Sequence, residues 1–168
     1  GRVLWTQTPL IAGPEGLPSL MVSKGVAYWP EGDEARILTV RQQHLFALDP
    51  RTGQPFESFG DGGKVDLSTS DFRYKWNAAP LVVGGVVIVG SSMLGQDSAG
   101  SMSGPPGDVR AFDVRTGELV WSFQATPRGG DPPAATWEDE AWRYTGAGNV
   151  WTSMSADPEL GYVYVPTS

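Results

Sequence analysis

The chain of 168 residues, with 40% apolar and 11% aromatic side chains, can bury a sizeable core, which excludes an intrinsically disordered protein. Its formal net charge of −7 offers no basic surface to a phosphate backbone, and no apolar run reaches the ~18 residues of a membrane span, so neither nucleic acid nor a membrane segment is expected. With no cysteine, the sequence excludes disulfides, thiolate metal ligands and a catalytic thiol.

The glycine and proline content indicates the fold class. The 22 glycines and 14 prolines are scattered along the chain, which is typical of tight turns between short strands, and no segment has a sustained helical period. An all-β fold is therefore predicted. The sequence starts at Gly1 without an initiator methionine or a recognisable signal peptide, which predicts a processed or truncated chain.

Short apolar, β-branched or aromatic runs bounded by turn residues predict the strands. In chain order these runs cover residues 25–29, 35–40, 44–49, 80–92, 108–113, 118–123, 149–157 and 161–168. Loops rich in Gly, Pro and Ser are predicted over 60–70 and 94–107.

One phrase occurs twice, as ALDPRTGQPFESF over 47–59 and as AFDVRTGELVWSF over 111–123, with seven of thirteen positions identical. In the shared D-x-R-T-G, an Asp or Thr side chain can bond backbone N–H groups while the Gly adopts a left-handed conformation. Each copy is therefore predicted to form a hairpin turn.

Repeated hairpins of this kind favour a β-propeller built from four-stranded antiparallel blades. Ala47 and Ala111 are small enough to admit a close neighbour, and Trp121 is a large flat group that needs a slot; Glu57 stands at the corresponding place in the first copy. Similar hairpins also occur in sandwiches, so another antiparallel β domain remains an alternative on the pattern alone.

The phrase AFDVRTGELVW resembles the tryptophan-docking motif of the dehydrogenases that depend on pyrroloquinoline quinone (PQQ), the quinoproteins. Residues 24–67 resemble early blades of the glucose and alcohol dehydrogenases of this family, and NVWTSMSADPELGYVYVPTS resembles a later one. The family propeller has eight blades and is several times longer. The resemblance therefore implies that 1–168 is one incomplete propeller domain of about three blades, a fragment or a split or degraded relative.

The resemblance implies a cofactor site for PQQ, a planar quinone with three carboxylates that needs an aromatic platform and hydrogen-bond donors or cations. Trp151 matches the tryptophan beneath the quinone, although a core tryptophan of a blade is the alternative. Lys24 matches an Arg that pairs with the cofactor; a Lys keeps the charge without the bidentate fork, and a solvated surface charge is its alternative. Ser92, in IVGSS, matches a cofactor-binding serine, but turn residues also look like this.

Two asparagines and a metal complete the expected site. Asn77, before AAP, and Asn149, before VW, stand where relatives place a Ser or Thr facing PQQ. Calcium is implied as a second cofactor, but Gly95 occupies the place of the methanol branch's ligating Glu, and Asp97 is the nearest acid. No metal ligand is therefore predicted within this chain.

The resemblance implies that an alcohol or sugar substrate gives a hydride to the quinone while Ca²⁺ polarises the quinone carbonyl and an aspartate takes the hydroxyl proton. In the family this aspartate and the Asn ligand of calcium follow the part that ends at Ser168. No catalytic residue is therefore predicted here, and the fragment alone is expected to be inactive. Family resemblance also implies a periplasmic location.

Other polar groups have simpler interpretations. The acids at 138–140, between two tryptophans, suit a solvated loop better than a carboxylate pair for catalysis or calcium. His44, the only histidine, is predicted to be a half-exposed strand residue, and GDGGKVDLSTSD over 60–71 is predicted to be an inter-blade turn without the closing Glu of an EF-hand.

Two functions of different classes follow. In the first, the chain supplies part of the PQQ floor of a quinoprotein dehydrogenase. In the second, it is a non-enzymatic, propeller-like module whose open sheet edges lead it to self-associate into an oligomer.

Overall fold

The computed structural model describes residues 1–6, 24–68, 74–93, 107–145 and 148–167. In chain order its strands are β1 (Ala27–Trp29), β2 (Arg36–Arg41), β3 (His44–Leu48), β4 (Lys64–Asp66), β5 (Tyr74–Lys75), β6 (Leu81–Val83), β7 (Val86–Val89), β8 (Ser92–Met93), β9 (Val109–Asp113), β10 (Leu119–Phe123), β11 (Ser155–Asp157) and β12 (Tyr162–Tyr164). Short 3-10 helices cover Gly32–Glu34, Pro132–Thr136 and Glu138–Arg143. The predicted all-β fold is confirmed.

The strands form two four-stranded antiparallel sheets, ordered β1-β2-β3-β4 and β6-β7-β9-β10 from one edge to the other. Each is a meander of the kind predicted for a propeller blade. A third unit begins with the β11-β12 hairpin, and β5 pairs with β8 beside the second sheet. In the described ranges, no helix is long and apolar enough to cross a membrane.

Strand β7 of the second sheet is buried on both faces, which explains its nearly continuous apolar run. Val87 and Val89 join the core shared with the first sheet, whereas Ile88 points to the other face and joins Val150 and Met154 of the third unit. Alternate side chains of one strand therefore bind two neighbours, and the sheets stack as adjacent blades.

Both copies of the repeated phrase form the predicted turn. Asp49 and Asp113 accept hydrogen bonds at 2.7 and 2.8 Å from the backbone N–H two residues later. Gly53 and Gly117 have φ of 73° and 76°, and their N–H groups donate to the carbonyls of the two aspartates at 2.8 and 2.9 Å. The turn conformation requires glycine because other residues are strained at such φ values.

The second turn packs directly on the first sheet. The N–H of Gly60 donates to the carbonyl of Thr116 at 2.8 Å, and a Cβ placed on Gly117 would lie 2.7 Å from Cγ2 of Val65. On the inner side of the same joint, Trp29 Nε1 donates to the Gly84 carbonyl at 3.0 Å. One backbone hydrogen bond and one hydrogen bond from a side chain to the backbone therefore join the two blades.

The first turn packs on Trp5, which the sequence analysis did not single out. Trp5 Nε1 donates to the carbonyl of Pro50 at 2.8 Å, and its ring carbons lie 2.6–2.9 Å from a Cβ built on Gly53. The segment GRVLW over 1–5 matches GELVW over 117–121 in its Gly and Trp. It is therefore the outgoing half of a further copy of the docking phrase.

Several predicted boundaries were wrong. The run 80–92 contains two strands, β6 and β7, because Gly84 turns the chain at φ 57°. The predicted turn over 60–71 contains β4, and the strand expected from 149 begins only at Ser155. β5 and β8, of two residues each, were not predicted.

His44 is half-buried in β3, as predicted, and burial lowers its pKa, so the imidazole is neutral near pH 7.

Replacing Gly117 tests the joint between the blades. Gly117→Ala forces an alanine into a left-handed conformation, which costs about 1–2 kcal/mol. The added Cβ also clashes with its neighbours, which costs about 1–3 kcal/mol more. Gly62→Ala is the matched control, because Gly62 has φ 59° and no atom within 4 Å of an added Cβ. Urea denaturation should show the larger loss for Gly117→Ala, and equal losses would contradict this role of the joint.

Candidate functional site

Strand direction brings the predicted cofactor residues to one end of the sheets. The first strand of each unit follows one of these residues. Strand β1 begins three residues after Lys24, β6 four residues after Asn77 and β11 four residues after Trp151. Ser91 and Ser92 follow β7, which is antiparallel to β6, so they lie at the end where β6 begins. The meander topology therefore collects these side chains at the same end of adjacent blades.

Three segments contact one another there. Asn77 Nδ2 donates to Ser92 Oγ at 2.9 Å, and the N–H of Val150 donates to the Ser91 carbonyl at 3.1 Å. The segment that carries Trp151 therefore lies directly beside the two serines.

Glycine makes the close approach of these segments possible. A Cβ on Gly90 would lie 2.9 Å from the Cβ of Val150, and one on Gly107 would lie 2.6 Å from the Cβ of Asn149. Either side chain would push the 148–151 segment away from the serines. The positions of Asn149 and Trp151 thus depend on two small residues that sequence reasoning did not connect with the site.

Trp151 is exposed to solvent in the described structure. The residue is 52% exposed, whereas the preceding Val150 is 2% exposed and fills the core between the second sheet and the third unit. Trp151 belongs to neither core cluster of the described residues. An uncovered indole beside hydroxyl and amide groups can stack on a flat ring.

Ser91 is a candidate hydrogen-bond donor to a bound molecule, although the sequence pointed to Ser92 instead. Its residue is 2% exposed, and its Oγ is buried without a hydrogen-bond partner among the described residues. Buried hydroxyls are normally satisfied, so this one is a candidate for contact with a bound molecule. Nothing in the sequence distinguishes the two adjacent serines in this respect.

Lys24 stands apart from the cluster. Its side chain is exposed, and its segment meets the site through the neighbouring backbone, where a Cβ on Gly25 would lie 2.9 Å from the Cβ of Ala79. The structure therefore places Lys24 beside the Asn77 segment, on a side chain long enough to move.

The described ranges contain no group of three or more His, Asp or Glu side chains that could hold a metal ion. Gly95 and Asp97, the positions considered for calcium, lie outside the described residues. The predicted solvated loop agrees with the structure, because the acids at 138–140 are exposed.

A sequence profile described as PQQ: Glucose/ethanol/alcohol dehydrogenase, beta-propeller domain, matches residues 1–168. The chain belongs to this family. Among curated quinoproteins, it is 35% identical over 182 residues to quinohemoprotein alcohol dehydrogenase ADH IIB of Pseudomonas putida, across 99% of this chain and 24% of the relative. It is 29% identical to subunit 1 of the methanol dehydrogenase (cytochrome c) of Paracoccus denitrificans, across 98% of this chain and 27% of the relative.

Solved quinoprotein structures share the fold. Quinohemoprotein alcohol dehydrogenase ADHIIG of Pseudomonas putida superposes with a TM-score of 0.65 at 28% identity, over 87% of this chain and 21% of the other. The quinohemoprotein alcohol dehydrogenase of Comamonas testosteroni gives 0.64 at 26% identity, over the same 87% and 21%. The predicted propeller is confirmed, and the chain spans less than a third of the length of these quinoproteins.

Replacing each of the two adjacent serines by alanine should have opposite effects on the free energy of unfolding. Ser92→Ala removes the acceptor of the Asn77 hydrogen bond and should cost about 1 kcal/mol, whereas Ser91→Ala removes an unpartnered buried hydroxyl and should be neutral or stabilising. Urea denaturation of the cofactor-free protein compares them, and each variant is the control for the other. A larger loss for Ser91→Ala would mean that its hydroxyl is already satisfied.

Proposed function

We propose that this chain is part of a PQQ-dependent dehydrogenase that oxidises an alcohol or a sugar, and that it supplies part of the cofactor floor. The observation that carries the proposal is the exposed Trp151, which follows Val150 where that residue is hydrogen-bonded to Ser91, at the end of the blades that also holds the Asn77–Ser92 pair. Family membership supports the same conclusion.

The donor set of the site fits PQQ. The indole of Trp151 offers a flat face for the ring, and the buried hydroxyl of Ser91 has no partner in the described chain, so it can donate to a carboxylate or carbonyl oxygen. Asn77 and Asn149 add amide groups at the same end, and Lys24 adds a positive charge without a bidentate fork. When bound, PQQ would supply a quinone that accepts a hydride from the substrate.

The residues of this chain would bind and orient the cofactor rather than move the substrate proton. The Asn77–Ser92 hydrogen bond fixes two polar side chains against each other, and packing of Val150 fixes the position of Trp151. We propose that the catalytic aspartate and the calcium ligands belong to other parts of the full-length protein, and that residues 1–168 alone are inactive. A periplasmic location is part of the same proposal.

Replacing Trp151 tests the platform. In the full-length protein, Trp151→Leu should weaken PQQ binding by about tenfold or more, because an aliphatic side chain loses the stacking face. Trp137→Leu is the matched control, since Trp137 is half-buried in the loop before Glu138–Arg143 and should leave binding unchanged. Equilibrium titration of the cofactor-free protein with PQQ measures both, and dye-linked alcohol oxidation should fall only for Trp151→Leu.

Lys24→Arg is a second variant for the same titration, and it is expected to bind PQQ more tightly than the unchanged protein. A guanidinium restores the fork that matches a carboxylate, so the affinity for PQQ should rise several-fold. If Trp151→Leu binds PQQ with unchanged affinity, Trp151 is not the aromatic platform. If Lys24→Arg binds PQQ with unchanged affinity, Lys24 is a surface charge that does not contact the cofactor.

Self-association of the isolated chain is a second proposal, supported by apolar side chains at both ends of the described structure. Tyr28 of β1 is 57% exposed, and Tyr162 and Tyr164 of β12 are 60% and 53% exposed. Large uncovered side chains on terminal sheets favour contact with a second copy when no further blades cover them.

Light scattering of residues 1–168 expressed alone tests this second proposal. A dimer or larger species is expected, and Tyr164→Lys should shift it toward monomer because a charge would be buried in the contact. Tyr144→Lys is the control, since Tyr144 is also exposed but lies in the loop between β10 and β11. A monodisperse monomer of the unmodified chain would contradict self-association.

A further inference from the structure

A separate cavity of about 290 Å³ lies in the long loop between β10 and β11. Its walls come from two stretches of this loop, residues 126–129 and 142–145. The cavity is close to the lower end of the roughly 300–1,000 Å³ typical of small-molecule pockets, which suits a ligand of about one ring.

The cavity adjoins the cofactor residues but shares no wall with them. Its residue Thr126 is buried and contacts the chain just before Asn149, because a Cβ on Gly148 would lie 3.2 Å from Thr126 Oγ1. The residues that line the cavity do not include Asn77, Ser92 or Trp151. A ligand in the cavity would therefore leave the candidate cofactor site free.

Both charged side chains in the walls are arginines. Arg128 Nη2 donates to Asp108 Oδ2 at 2.6 Å, and Arg143 Nη2 donates to Glu140 Oε1 at 2.8 Å. Within the part of the chain that the structure describes, Nε and Nη1 of both arginines donate no hydrogen bond. Each guanidinium is thus held in place by one carboxylate and keeps donors that suit a second.

Aromatic side chains form the remaining surface. Trp142 is half-buried and packs against Gly129, whose added Cβ would lie 2.6 Å from the ring, so the indole is fixed by a close backbone contact. The Arg143 guanidinium lies 5.1 Å from the centre of the Trp142 ring, and Tyr144 lines the same cavity. A fixed indole, a phenol and two cations in one small space recognise a ring and an anion together.

Local backbone strain holds the Arg143 side of the cavity. Asp139 and Glu140 have φ of 50° and 52°, in the left-handed region that side chains other than glycine rarely adopt. This reversal of the chain brings the Glu140 carboxylate to Arg143, three residues later. The guanidinium is therefore positioned by the loop itself.

We propose that this cavity is a second binding site, and that it takes a small ring-bearing carboxylate. The carboxylate accepts hydrogen bonds from Arg128 and Arg143, and the ring stacks against Trp142 and Tyr144. The site requires neither bound PQQ nor the dehydrogenase activity.

Calorimetric titration of the cofactor-free, full-length protein with benzoate tests the proposal. Benzoate should bind, and the uncharged isostere benzamide should bind at least about tenfold more weakly because it cannot pair with guanidinium groups. Absence of benzoate binding, or equal binding of the two compounds, would overturn the proposal. The titration contains no PQQ, so its result is independent of the proposed dehydrogenase function.

Variants locate the binding. Arg143→Gln should weaken benzoate binding about tenfold, and Arg51→Gln, which removes an exposed ion-paired arginine in the first docking turn, should have no effect. Glu140→Gln removes the carboxylate that positions Arg143 and should weaken benzoate binding several-fold. Binding of benzamide separates recognition of the carboxylate from a purely structural role, because benzamide does not pair with a guanidinium and should bind unchanged in both variants, whereas a collapsed loop would weaken both compounds. Unchanged affinity in Arg143→Gln and Glu140→Gln would place benzoate elsewhere.

Discussion

The close approach of a docking turn to the neighbouring blade is the constraint on which the rest of the structure depends. A blade that is apolar on both faces has no stable surface until each face is covered, and the left-handed glycine of the turn lets backbone meet backbone at the joint. Gly117 against Gly60 and Val65 closes the joint between the first two sheets. Without this contact, the alternate side chains of β7 would lose one of the two cores that they join.

The geometry of the candidate cofactor site follows from the same stacking of adjacent blades. No single blade contains the site, because Lys24, Asn77 and Trp151 come from the chain before three different first strands. The two serines at the end of β7 connect the Asn77 and Trp151 segments through the hydrogen bonds of Asn77 and Val150. The cavity of the β10–β11 loop has a different basis, since one loop supplies all of its wall residues and Asp108, before β9, only pairs with Arg128.

Features with local causes could be predicted from the sequence. The D-x-R-T-G turns depend on an aspartate and a glycine that are visible in thirteen residues, and the strands around them follow short apolar runs. β4 was missed because its three residues follow a glycine-rich turn and gain their order from pairing with β3. The unpartnered hydroxyl of Ser91 could not be predicted, since it depends on what the fold brings to that serine. Trp5 was missed because only five residues of its phrase are present.

The two docking turns differ in what their glycines touch, and this difference bears on how the sequence can drift over evolution. Gly53 faces only the ring of Trp5, whereas Gly117 faces both Cγ2 of Val65 and the backbone nitrogen of Gly60. A left-handed φ disfavours a side chain at either glycine, but the steric contact at Gly53 can be relieved by a change at one aromatic residue. The second turn offers no single compensating partner, so relatives that diverge far in sequence should retain glycine there longest.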